Sequence, residues 1–195
     1  INNAQGLGEK YGCSVINAVA IGKMEVAFSS SANETYYENI SATTTPGTKT
    51  GMSNASFGIL FSGNGTKLNG GVFDCDRCIG IGSITAIIKD TTIKNVTMNI
   101  PSSATTNGMY DLFGNLGIDT LTIDNLIVNC SAAAVAIPVS LGQYFNGTTV
   151  IGKNFNITNV TIKTSGAVNS YGLYVLKTYG VNIENVNYLN TSGNS

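Results

Sequence analysis

The chain is 195 residues long, 43% hydrophobic and only 11% charged, where an average soluble domain has about 25% charged residues. Ten basic and eleven acidic residues leave no basic face able to neutralise a run of phosphates, which excludes nucleic acid as a partner. With neither His nor Trp in the sequence, His-dependent triads and most zinc sites are excluded as well.

The missing charge is replaced by 24 Asn, 23 Gly, 22 Thr and 17 Ser, and the apolar fraction still suffices for one core in a single compact unit. Ile1 opens the chain without Met and without the basic, apolar, small-residue order of a signal peptide, which reads as a processed N-terminus. Residues 13–28 are mostly apolar, with Lys23 and Glu25 as their only charges, and a polar stretch follows through Thr50. Residues 1–65 are therefore expected to form an N-terminal cap or docking segment: a covering strand, a short helix, or an arm laid on a neighbouring subunit. No window reaches the roughly 20 apolar residues of a membrane span; the best, residues 132–141, is short and contains Pro138.

Residues 66–195 carry a repeat. A large apolar residue, any residue, Asn, an apolar residue, any residue and another apolar residue recur as Ile93-Lys94-Asn95-Val96-Thr97-Met98, Ile123-Asp124-Asn125-Leu126-Ile127-Val128, Ile157-Thr158-Asn159-Val160-Thr161-Ile162 and Ile183-Glu184-Asn185-Val186-Asn187-Tyr188. A weaker copy, Leu68-Asn69-Gly70-Gly71-Val72-Phe73, has Gly in place of Asn, and successive copies are offset by 25, 30, 34 and 26 residues. Offsets of this size indicate a solenoid. The apolar positions alternate on either side of Asn, and the segments are rich in Ile, Val and Thr, so the solenoid is built of strands. Asn tolerates turn conformations, so each copy is expected to bend there, with amides stacked in an inward-facing ladder.

These copies resemble the right-handed parallel β-helix of the pectin-lyase-like superfamily, over about residues 64 to 190. The resemblance implies an all-β fold of about five coils; a β-sandwich with Asn-rich turns is the alternative. Variation in coil length is expected in polar corner loops such as residues 102–108 and 146–149. Cys75 and Cys130 each lie five residues after a corner, which stacks them two coils apart, about 9 to 10 Å, too far for a disulfide. Cys13 is then expected to bond Cys75, Cys78 or Cys130. The Cys75–Cys78 spacing also suits metal or redox chemistry, but without a second such pair or a His a structural disulfide is the expected role.

Sequons begin at Asn33, Asn39, Asn54, Asn64, Asn95, Asn129, Asn146, Asn156, Asn159 and Asn190, which points to a secreted, N-glycosylated chain; the bland reading is that Asn and Thr are simply abundant. Asn95 and Asn159 are also ladder positions, so the other eight are the expected glycan sites, and N-linked glycans the only expected attached groups.

The enzymes that the resemblance brings in use Asp clusters that hold calcium, with an Arg or Lys base, or Asp residues with a His. The nearest candidate is Asp74-Cys75-Asp76-Arg77-Cys78, in which Arg77 is the sole Arg. It reads as a calcium or carboxylate-pair site or, more plainly, as a loop in which Arg77 pairs with its acidic neighbours. Asp90, Asp111, Asp119 and Asp124 are scattered, and no catalytic, metal or cofactor residue is assigned. Tyr36, Tyr37, Tyr144, Tyr171, Tyr174, Tyr179 and Tyr188 would serve as a sugar platform or, in the more usual role, as packing and contact residues.

The last coil ends near Leu189, with no room for a cap before Ser195, so either another subunit covers the uncapped solenoid end or the chain is a fragment of a longer protein. The sequence is thus expected to encode a non-enzymatic, extracellular or cell-surface structural subunit that polymerises head-to-tail with copies of itself. A polysaccharide-cleaving enzyme and a glycan-binding adhesin of the same architecture are the alternatives.

Overall fold

Alternating β-branched and polar residues favour extended chain, and the computed structural model bears this out over the residues it describes: 14–24, 26–45, 57–83, 86–104, 108–111, 117–133, 137–141, 152–165 and 171–191. Among these there are fourteen strands and no helix. One sheet of eight strands contains β1 (Ser14–Ile16), β2 (Val19–Lys23), β4 (Tyr36–Thr45), β6 (Lys67–Asp74), β8 (Ile88–Ile100), β10 (Ile118–Cys130), β12 (Gly152–Thr164) and β14 (Thr178–Asn190). The other, of six, contains β3 (Val26–Ser30), β5 (Phe57–Phe61), β7 (Arg77–Ile81), β9 (Met109–Asp111), β11 (Val139–Leu141) and β13 (Leu173–Val175). Every pairing is parallel, and from β2 onward the chain alternates between the sheets, so the molecule is a parallel β-solenoid.

The register superimposes the repeat copies. Leu68 pairs with Ile93, Ile93 with Ile123, Ile123 with Ile157 and Ile157 with Ile183. Three inward columns result: Leu68, Ile93, Ile123 and Ile157; Ile40, Val96, Leu126 and Val160; Phe73, Met98, Val128 and Ile162. All of these are fully buried. Apolar side chains therefore stack on one another from coil to coil, interrupted only by Gly71 between Ile40 and Val96 in the second of these columns, the arrangement that a parallel in-register stack imposes.

The corners are backbone facts. Asn39, Asn95, Asn125, Asn159 and Asn185 have φ of 48, 56, 56, 54 and 52°, the left-handed region that Asn tolerates better than most residues. Gly70, at φ 79°, occupies the same column without strain, and a Cβ there would stand 2.6 Å from the Asn39 side chain. A second left-handed column lies five residues upstream, at Glu34, Gly65, Asp90, Thr120, Asn154 and Gly180. From Glu34 onward each described coil is thus bent twice on the side of the eight-stranded sheet. Each of the four strands β8, β10, β12 and β14 nevertheless runs unbroken for 13 residues.

One expectation needs correction. The repeat does not start at residue 66. Tyr37-Glu38-Asn39-Ile40-Ser41-Ala42 is a full copy, with Tyr37 paired to Leu68 and Ile40 to Gly71. Asn17, at φ 53°, begins a still earlier rung, because β1 and β2 flank it and pair with β4. The described part of the segment expected to cap or dock therefore consists of coils; residues 1–13 lie outside the described residues. Coil length varies in the connections, as expected. Asp74 and Ile79 are five residues apart, whereas Asn99 and Met109, their partners in the next coil, are ten apart, so the segment that contains residues 102–108 accounts for the step in offset from 25 to 30. The connections β8–β9, β10–β11 and β12–β13 then each span eight residues (101–108, 131–138, 165–172). The returns to the long sheet span six, ten and two residues (112–117, 142–151, 176–177), and these differences account for the offsets of 30, 34 and 26. Residues 146–149 fall in the longest return, outside the described residues.

Val in place of Asn125 must adopt a left-handed φ with a branched Cβ and loses the amide bond to Asn95, so Asn125→Val is expected to cost about 2–3 kcal/mol. Asn125→Gly keeps the conformation and is expected to cost about 1 kcal/mol. Urea denaturation of the two variants checks the order.

Candidate functional site

The side chains just beyond the third inward column line a cavity of about 610 Å³ that runs across the coils. Parallel register builds it as a stack of equivalent positions. Thr43, Asp74, Asn99, Asn129 and Lys163 form one column, each paired to the next. Beyond it, Thr44, Cys130 and Thr164 face inward, and then Asp76, Pro101, Ser131 and Ser165 turn toward the six-stranded sheet. Hydroxyls, amides, two carboxylates and one ammonium line it together with Ile100, Pro101 and Cys130, and most of the wall surface is apolar. Asn129 Nδ2 donates to Asn99 Oδ1 at 2.9 Å, which fixes two of the amides along the wall.

Asp74 and Asp76, the nearest candidate pair in the sequence, both line this cavity, but in different settings. Asp74 ends β6 and is exposed, whereas Asp76, in the bend between β6 and β7, is 7% exposed. Burial pushes the Asp76 carboxyl above the ordinary carboxylate range, and the neighbouring Arg77 charge pulls it partly back. The Arg77 guanidinium stands 5.2 Å from the centre of the Phe57 ring, a cation–π contact. The remaining acids are dispersed, and two of them have a structural use. Asp119 Oδ1 accepts from Asn154 Nδ2 at 3.0 Å, and Asp124 Oδ1 accepts from Asn159 Nδ2 at 2.8 Å and Thr158 Oγ1 at 3.0 Å. Asp90 is a corner residue; the side chain of Asp111 lies outside the described residues.

Among the described residues no disulfide forms: Cys75, Cys78 and Cys130 are free and buried, and Cys13 lies outside the described residues. The inward alternation that makes a core also carries these thiols into it, where burial raises their pKa values. Cys75 Sγ donates to Ala42 O at 3.5 Å and Cys78 Sγ to Phe73 O at 3.4 Å. Ile100 occupies the level between Cys75 and Cys130, since it pairs with Cys130 and the Cys75 N–H bonds the carbonyl of the residue before it.

The ladder points outward, which overturns the reason for excluding Asn95 and Asn159 from glycosylation. Both are exposed. Asn95 Nδ2 donates to Asn69 Oδ1 at 2.8 Å, Asn125 Nδ2 to Asn95 Oδ1 at 2.8 Å, and Asn185 Nδ2 to Asn159 Oδ1 at 3.2 Å. At Asn159 the ladder steps to Asp124 in place of Asn125. Of the eight expected glycan positions, Asn33, Asn39, Asn64 and Asn156 are exposed, Asn129 and Asn190 are half-buried, and Asn54 and Asn146 lie outside the described residues.

The tyrosines do not form one platform. Tyr37 is buried against Phe28 and Phe61, with ring centres at 6.5 and 6.1 Å. Tyr171 and Tyr174 pair at 5.9 Å, Tyr179 lies 5.8 Å from the Lys153 ammonium, and the Tyr188 hydroxyl bonds Thr164 at 3.1 Å. Tyr144 is outside the described residues.

Fold and side-chain geometry define the class as a parallel β-solenoid with amide-stapled corners. Comparison with known proteins gives no match: no family model fits the chain, and no curated protein or solved structure is significantly similar to it. Of the expected resemblance the structure bears out the parallel β-solenoid, and no comparison supports a place in the pectin-lyase-like superfamily.

The two perturbed carboxyls predict opposite pH effects. Asp124 is held below its ordinary value by hydrogen bonds from Asn159 and Thr158, with Lys94 3.9 Å away adding to the effect. Its stabilisation is present above the unfolded value near 4 and is lost as pH falls through the lower folded value. Asp76 is raised, so its contribution is complete below about pH 4 and is lost as pH rises through the higher folded value. Urea midpoints at pH 3 and pH 7 are expected to show Asp76→Asn gaining stability relative to the parent at pH 7 but not at pH 3. Asp124→Asn is expected to lose stability at pH 7 and to approach the parent in acid.

Proposed function

We propose that this chain is a secreted, N-glycosylated structural subunit of an extracellular filament or cell-surface layer that assembles head-to-tail. One observation carries the reading. Ile183, Val186 and Tyr188 of β14 continue the columns of Ile157, Val160 and Ile162, yet they are 46, 37 and 38% exposed, whereas the residues beneath them are fully buried. Among the described residues β14 is the last strand of its sheet, and an apolar column left open beside such an edge is a surface that gains by being covered. The ten sequons support the extracellular part of the reading. So does the 11% charge, since attached sugar would solvate a surface that carries few charges of its own. Negative-stain electron microscopy of the native glycoprotein is expected to show fibres or sheets; only monomers, by imaging and light scattering, would overturn the proposal.

The cavity supports a second reading, a glycan-binding adhesin or a polysaccharide-cleaving enzyme of the same architecture. Its stacked hydroxyls, amides and the buried Asp76 suit a chain of sugar hydroxyls, and Asp74 and Asp76 are the carboxylates that cleavage would need. Calorimetric titration with neutral and acidic oligosaccharides tests this. Saturable binding abolished by Asp74→Ala together with Asp76→Ala favours it, and product formation separates enzyme from adhesin.

A further inference from the structure

The bonds between coils have a direction. Whenever an Asn amide bridges two coils, the later coil donates and the earlier one accepts, as from Asn95 to Asn69, Asn125 to Asn95 and Asn185 to Asn159. Groups that cannot reverse fix this polarity. Asp119 and Asp124, when ionised, only accept, and they accept from Asn154 and Asn159. The backbone N–H groups of Asn64 and Lys89 only donate, and they bond Asn33 Oδ1 at 3.1 Å and Asn64 Oδ1 at 2.9 Å. A polar stack has unlike ends. The C-terminal coil is left with the Oδ1 acceptor of Asn185. Toward the N-terminus the bonded corner amides stop at Asn69, and Asn17, which continues the corner column, leaves its Nδ2 donor on the first coil. Neither atom has a partner among the described residues.

We infer that these two ends are complementary, so that β14 of one copy pairs in parallel with β1 and β2 of the next and Asn17 of the second copy seats on Asn185 of the first. Three further observations agree with this register. The two corners have nearly the same backbone, φ 53° and 52°. Ala18 and Ala20 come opposite Val186 and Tyr188, small residues against large ones on the inward face. Ile21 comes opposite Leu189, and both are apolar and outward-facing, at 74 and 45% exposed. The contact belongs to the eight-stranded sheet, because Phe28 of β3 is already buried although β3 ends its own sheet.

The inference rests on head-to-tail assembly, and cross-linking separates the two. In this register Ile21 and Leu189 of neighbouring copies have Cα atoms about 5 Å apart, within disulfide range. The full chain carrying Ile21→Cys and Leu189→Cys is expected to give a reducible ladder of covalent oligomers under oxidation. A control with Ile16→Cys and Leu189→Cys, displaced by about 16 Å along the strand, is expected to give none. Asn17→Asp keeps the corner but sets a carboxylate against the Asn185 oxygen, and is expected to raise the protein concentration needed for assembly about tenfold. Fibres without the 21–189 link, or with the 16–189 link instead, overturn the register and leave the head-to-tail reading standing. Absence of any assembly overturns both.

Discussion

Parallel in-register stacking is the constraint from which the rest of this structure follows. When each coil lies directly on the one before, a bend can occur only where every coil bends, and a side chain can face inward only where its counterparts above and below also do. The column of left-handed residues from Asn17 to Asn185 meets the first condition. The Ile, Val and Leu columns meet the second. A strand slipped by one residue would lose both together, because the two-residue period would turn its apolar set to solvent while moving its corner away from the column.

Much of this was legible in the sequence because the corner demands a scarce residue. Asn is one of the few residues at ease with positive φ, so a repeated Asn flanked by alternating β-branched residues reports backbone geometry directly. The copy at Tyr37-Glu38-Asn39-Ile40-Ser41-Ala42 was present but obscured, since Tyr and Ala stand where other copies have Ile or Leu and Val or Met. The upstream corner column was invisible for a different reason: Glu34, Gly65, Asp90, Thr120, Asn154 and Gly180 share a backbone conformation and no chemistry. Pairing imposes that conformation, and Thr120 accepts it despite its branched side chain. The cavity was half legible. Asp74 and Asp76 were visible as a pair, but their neighbours Asn129 and Lys163 come from later coils that only the register brings alongside.

The composition also takes on a mechanical meaning. Where charged side chains would stack like upon like along the axis, and repel, amides stack as donor on acceptor. A parallel solenoid therefore favours Asn over Asp or Lys at any position repeated in every coil. The carboxylates at Asp119 and Asp124 fit because no acid stacks on them: Lys89 and Lys153 flank Asp119 in register, Lys94 and Thr158 flank Asp124, and each accepts from an amide of the next coil. Gly70 leaves a rung without an amide, and Asn69, one residue earlier, takes the bond from Asn95.

The unequal lengths of the connections separate two properties that are usually linked in a folded chain. Every coil adds the same rise, set by the spacing of parallel strands; from β8 onward the long strands and the eight-residue segments after them are also constant, whereas the return segments differ by as much as eight residues, from 142–151 to 176–177. Adding or removing residues in a return alters the girth of one coil and leaves the axial spacing untouched. The flank of the molecule is thus free to diversify by insertion and deletion, while the pitch, and with it any periodicity inherited by an assembly of such coils, stays fixed.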